Sequence, residues 1–164
     1  MDRQQIGVKL TIDGLNLPFK IESFEDRLIL QKAVYLAQAA GIHLGYYYHW
    51  YLYGPYCPSL TRDAYSITGE ISQGVDESQA WKLDDGSLSR LHRLQDIIVR
   101  NTRRDESRHL ELLASVHFLI NRKQVNGEDT KEITDTLKRF GKDFSEEEVK
   151  EALGELIKYG LLAA

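Results

Sequence analysis

Thirteen consecutive residues, Tyr46 through Pro58, hold six tyrosines, a histidine, a tryptophan and the only cysteine of the chain. Three of these side chains could do chemistry. Cys57 offers a thiol that becomes a nucleophile when a base or a positive field lowers its pKa. Histidine is the commonest general base, and His49 could serve as that base. Tyr53 adds a phenol that can donate or accept. A reacting centre would require all three to converge in one pocket. One cysteine without a local signature more often reads as an inert, buried thiol, so no catalytic residue is expected. The tyrosines have a second use. Alternation along a strand puts Tyr47, His49, Tyr51 and Tyr53 on one face and Tyr48, Trp50 and Leu52 on the other. The second, more apolar face is expected to meet the long helix that precedes it. The first keeps hydroxyls and an imidazole. Tyrosine and tryptophan bring large contact area with few rotamers, which suits interface anchors. His49, Tyr51, Tyr53, Gly54, Pro55 and Tyr56 are therefore the candidate partner-binding residues.

Other chemistries find less in the sequence. The five histidines, His43, His49, His92, His109 and His117, lack ligand-like spacing with a cysteine or carboxylate, so no metal is expected. Gly41, Gly45 and Gly54 form no phosphate-binding fingerprint, and no cofactor is expected. Residues 90–108 carry Arg90, Arg93, Arg100, Arg103, Arg104 and Arg108 against Asp96, Asp105 and Glu106, a local excess of +3. Arg100, Arg103, Arg104 and Arg108 are a candidate basic patch for a nucleic-acid backbone or an acidic partner, although cations also gather at solvated helix ends. From Asp143 to Lys158 the sign reverses, with six carboxylates against two lysines. A helix that enters a groove of phosphates should be basic, so this acidity argues against DNA reading.

The whole chain has 164 residues, a net charge of −4, 42% hydrophobic and 28% charged residues, which suits one globular domain over 1–164 rather than a disordered chain. A single cysteine excludes an intrachain disulfide and fits a reducing compartment. The opening Met-Asp-Arg-Gln-Gln lacks the order of a signal peptide, and no apolar run nears the roughly 18 residues of a membrane span. A cytoplasmic location, with no membrane partner, is the expectation.

The elements that must position these residues read as mainly α, in an α+β setting. Residues 6–21 alternate on either side of Asp13-Gly14, which predicts an N-terminal β-hairpin arm over 1–22. Ser23 caps a helix that reaches about Ala40 and is apolar on nearly every side, hence central. Tyr47–Tyr53 predicts one short aromatic strand, broken at Gly54-Pro55, with Pro58 opening the next helix to about Ile71. Residues 72–88 read as loop or short turns. Helices follow over about 87–101, 108–121, 130–140 and, from a capping box at Ser145 and Glu148, up to Lys158. Residues 23–106 form the core and 107–164 a C-terminal three-helix lobe. Its ending, Lys158-Tyr159-Gly160-Leu161-Leu162, looks like a winged-helix module entering its first wing strand.

Three blocks carry a family resemblance: Leu30-Gln31-Lys32-Ala33-Val34-Tyr35-Leu36-Ala37, then Trp50-Tyr51-Leu52-Tyr53-Gly54-Pro55-Tyr56-Cys57-Pro58, then Leu60 through Tyr65. This order over residues 24–66 resembles the Panacea domain, also called the SocA-like antitoxin domain, and more nearly its uncharacterised YwgA-like relatives. The resemblance implies a mostly helical prokaryotic or phage protein without established enzymatic chemistry. It also implies a role in neutralising a toxin by direct binding, or as an adaptor or regulator. No catalytic residue is carried over from it. The expected function is a non-enzymatic interaction module that binds a toxin-like or regulatory protein through the Tyr-Gly-Pro region, with a homodimer left open. The alternative is a winged-helix-like nucleic-acid-binding regulator.

Overall fold

The structure is a computed structural model and describes residues 1–99 and 106–163. Asp2 opens the first helix, α1 (Arg3–Gly14), through a reciprocal cap. Its carboxylate accepts from the Gln5 amide at 2.8 Å, while the Gln5 side chain accepts from the Asp2 amide at 3.0 Å. The predicted N-terminal hairpin is thus replaced by a helix. Val8 and Ile12 fit a period of two and a helical repeat equally well. Leu15 completes the helical set, and Val8, Ile12 and Leu15 are all buried. Gly14 serves close packing rather than a hairpin turn, since a Cβ there would lie 2.7 Å from Leu91 Cδ1. The left-handed turn falls at Asn16 (φ 58°).

Helix α2 (Phe24–Ala39) starts where the sequence places it, with Ser23 and Asp26 capping each other. Leu30 to Ala37 are buried without a break, so this helix runs through the centre. Irregular chain follows, then strands β1 (His49–Tyr51) and β2 (Gly54–Tyr56) pair antiparallel as His49↔Tyr56, Trp50↔Pro55 and Tyr51↔Gly54. The single aromatic strand is therefore a small hairpin. Gly54-Pro55 lies inside its second strand, and the chain reverses at Leu52-Tyr53. Pro58 occupies the first position of α3 (Pro58–Ser72), where its missing N–H has no partner to lose. A 3-10 turn (Glu77–Ala80) leads to α4 (Asp85–Val99). Asp84 caps that helix by accepting from the Ser87 amide and hydroxyl at 2.8 and 2.9 Å.

Helices α5 (Glu106–Asn121), α6 (Thr130–Arg139) and α7 (Glu146–Lys158) complete the chain, with Ser145 and Glu148 forming the predicted box at α7. The architecture is mainly helical with one two-stranded antiparallel sheet. Helix α2 packs along α5 at the centre. Helices α1, α3 and α4 lie against α2, α7 packs on α5 and α6 on α7, while the hairpin rests on both α2 and α5. One continuous hydrophobic cluster extends from Val8 to Leu161. No wing strand starts among the described residues after α7. Leu161 and Leu162 follow Gly160 as a bend, and β1 and β2 are the only strands among the described residues.

Candidate functional site

The backbone from Leu44 to Cys57 finds few partners in regular structure, yet buried carbonyls and amides need them. Long polar side chains supply them. Gln4 donates to Leu44 O at 2.9 Å. Gln38 both donates to Tyr46 O and accepts from its amide, each at 2.9 Å. Arg122 donates to Tyr48 O at 3.1 Å, Lys142 to Leu52 O at 2.7 Å and Lys32 to Pro55 O at 2.6 Å. Gln31 closes the series, donating to Cys57 O at 2.8 Å and accepting from its amide at 3.0 Å. The Leu-Gln-Lys and Tyr-Gly-Pro blocks are thereby two halves of one hydrogen-bonded assembly.

The inward rings are also satisfied. Tyr46 donates its hydroxyl to Asp63 at 2.7 Å, and Tyr48 donates to Gln31 O at 2.9 Å. Burial pushes both phenols well above their ordinary range. The expected division into faces holds for Tyr48, which packs edge-on to Tyr35 of α2 at 5.1 Å. Trp50 instead meets Phe118 of α5 at 5.7 Å and Phe140 at 4.9 Å, and Leu52 is 76% exposed at the hairpin tip.

The outward rings line a cleft of about 430 Å³ between the hairpin and helices α2 and α3. Tyr51, Leu52, Tyr53 and Tyr56 come from the hairpin, Phe24, Arg27 and Leu28 from α2, and Thr61 and Tyr65 from α3. Phe24 meets Tyr53 edge-on at 5.0 Å, and Tyr51 meets Tyr56 at 5.3 Å. Phe24, Tyr51, Tyr53 and Tyr65 are each 42–53% exposed. Of the candidate partner-binding residues, Tyr51, Tyr53 and Tyr56 are brought together here. Gly54 and Pro55 are buried behind them, and His49 is exposed but is not part of the lining.

Lys32 lies under the cleft floor, fully buried beside Gln31 in a largely apolar stretch of helix. Burial lowers its pKa to about 7, with the Glu111 carboxylate opposing that fall and the Lys142 ammonium adding to it. Lys142 also contacts Glu111 directly, at 2.7 Å. Two lysines thus share one carboxylate, and the cluster is electrically balanced when Lys32 is neutral. Against it sits Ser115 Oγ, the one buried side-chain nitrogen or oxygen without a hydrogen-bond partner among the described residues. Gly54 (φ +85°) allows this approach, because an added Cβ would collide with that hydroxyl and lie 3.8 Å from Lys32 Nζ.

The remaining candidates fall elsewhere. Cys57 is buried, with its sulfur 3.1 Å from Ser59 Oγ. Arg100, Arg103 and Arg104 lie outside the described residues. Arg108 is no open anion contact. It donates to Asp143 O at 2.8 Å, pairs with Glu148 at 3.3 Å and covers the Phe144 ring at 4.3 Å, so it ties α5 to the start of α7. Among the described residues no three histidine, cysteine or carboxylate side chains cluster in a way that could hold a metal ion. No helix among them is long and apolar enough to cross a membrane. Sequence reasoning missed Phe24, Arg27, Lys32 and Tyr65. Only Lys32 left a signal, as a charged residue within a largely apolar core helix. No family model, no curated protein and no solved structure matches this chain.

Proposed function

We propose that this chain is a non-enzymatic protein-interaction module, antitoxin-like or regulatory, that docks a partner protein in the aromatic cleft and acts in the cytoplasm. One observation carries the reading: four half-exposed aromatic rings converge on a backbone already held in place by side-chain tethers. Rings on a preorganised scaffold lose little freedom on binding, which is the usual makeup of an interface hot spot. The resemblance of residues 24–66 to the Panacea domain points the same way. The nucleic-acid alternative has less support, because Arg108 is engaged with Glu148 and Asp143, and α7 begins with three glutamates. Co-expression with the neighbouring reading frames followed by co-purification tests the proposal. A partner retained by the wild type should be lost from a Tyr53→Ala/Tyr65→Ala variant, with affinity down by about 30-fold or more. Repeated recovery of the chain alone, or a complex indifferent to both substitutions, would sink it.

A further inference from the structure

The cleft has a sign as well as a shape. Its lining includes Arg27 on the rim and Lys32 beneath the floor, and no carboxylate. Lys142 stands behind the hairpin, its ammonium 5.9 Å from the Tyr53 ring centre. Lys142 is paired with Glu111 and burial favours the neutral form of Lys32, so Arg27 carries the positive charge of the cleft, in a chain whose net charge is −4. Arg27 spends one guanidinium nitrogen on Ile21 O, at 2.8 Å, and has no carboxylate partner among the described residues. Ring faces alone would also suit a bound cation, but the Arg27 guanidinium opposes one. The half-exposed rings leave the cleft open to solvent, which favours a protruding chain segment over an enclosed small molecule.

We infer that the cleft takes a peptide segment of the partner in which an apolar or aromatic side chain, seated among the rings, is flanked by a carboxylate that pairs with Arg27. This rests on the interaction reading above and names the chemistry of its ligand. Complementary charge at such a rim selects partners and speeds encounter more than it adds affinity.

Selection of a phage-displayed random heptapeptide library on the purified chain tests it, followed by titration of the winning peptides. The expected result is enrichment of Asp or Glu beside Leu, Phe or Trp. Replacing those acids by Gln or Asn should weaken binding about five-fold at low salt, with the gap closing as salt rises. Arg27→Gln should erase that gap and leave the neutral peptides unaffected, and Arg27→Lys should keep most of it. The lysine variant separates lost charge from a disturbed helix start. Winners without acids, or with basic flanks, overturn the inference while leaving a docking module in place. No enrichment on the wild type over Tyr53→Ala takes down both readings. A solution dimer that Tyr53→Ala disperses assigns the cleft to a second copy of the chain and also overturns the inference.

Discussion

Gly54 and Ser115 lie close together behind the cleft, and the two positions should respond to substitution in opposite ways. Gly54→Ala adds a Cβ both to a left-handed backbone and into the Ser115 hydroxyl. It should cost about 2–3 kcal/mol in urea unfolding. Ser115→Ala removes a buried hydroxyl that has no partner, so stability should hold or rise by up to about 1 kcal/mol. Lys32 gives a pH signature. Its folded pKa of about 7 lies below the ordinary 10.5, so the folded state prefers the neutral amine. The unfolded chain therefore binds the extra proton between those values, and stability rises with pH. The gain from pH 7 to about 9.5 should be about 3 kcal/mol, absent in Lys32→Met. Above the ordinary tyrosine value of 10.0 the slope reverses. Tyr46 and Tyr48 have raised pKa values, so the stability they contribute is lost as their unfolded counterparts ionise. Urea midpoints measured across this range would show the rise and the fall.

The helices announced themselves unevenly. Ser23, Pro58 and the Ser145–Glu148 box are local signals, and each marks a helix start at or within a residue of its observed place. The first element was misread because Val8 and Ile12 satisfy both periods and Asp13-Gly14 imitates a hairpin turn. The deciding cue was the Asp2–Gln5 cap, which looks outward from the alternating run. Asp2→Ala should remove about 1 kcal/mol, seen as a lower urea midpoint with unchanged slope. The hairpin was illegible for a different reason. Its backbone partners Lys32, Arg122 and Lys142 are distant in sequence, so nothing local records where the strand must stop. The alternating faces were readable for Tyr47, Tyr48, Tyr51 and Tyr53. They failed at Leu52, where the chain turns. Phe24 and Tyr65 join the cleft only because α2, α3 and the hairpin converge.

Across the whole molecule, a hydrogen-bonded relay ties the central helices to the C-terminal segment. Tyr35 of α2 lies 2.8 Å from His117 Nδ1 on α5, and His117 Nε2 lies 3.2 Å from Leu161 O. A carbonyl can only accept, so Nε2 carries the proton and Nδ1 accepts from the Tyr35 hydroxyl. Burial lowers the His117 pKa below 6.5, the backbone bond to Leu161 opposing it. The stability that follows is complete above pH 6.5 and is lost as pH falls from there through the folded value. His117→Leu should flatten this acid limb while lowering stability at neutral pH by about 1–2 kcal/mol, as the Tyr35 hydroxyl loses its acceptor. Denaturant unfolding across the acid range reads both effects.

The side-chain tethers along residues 44–57 also bear on how such a surface changes over evolutionary time. Each attachment point of the ribbon is one residue: Lys142 for its tip, Arg122 for its approach, Lys32 for its return. Exchanging one of these releases or re-aims a stretch of ribbon without cutting a helix. The contour of the cleft can then drift by single steps while the helical frame stays intact. If the cleft docks a partner as proposed, single exchanges of this kind retune the docking surface while the helices keep their places.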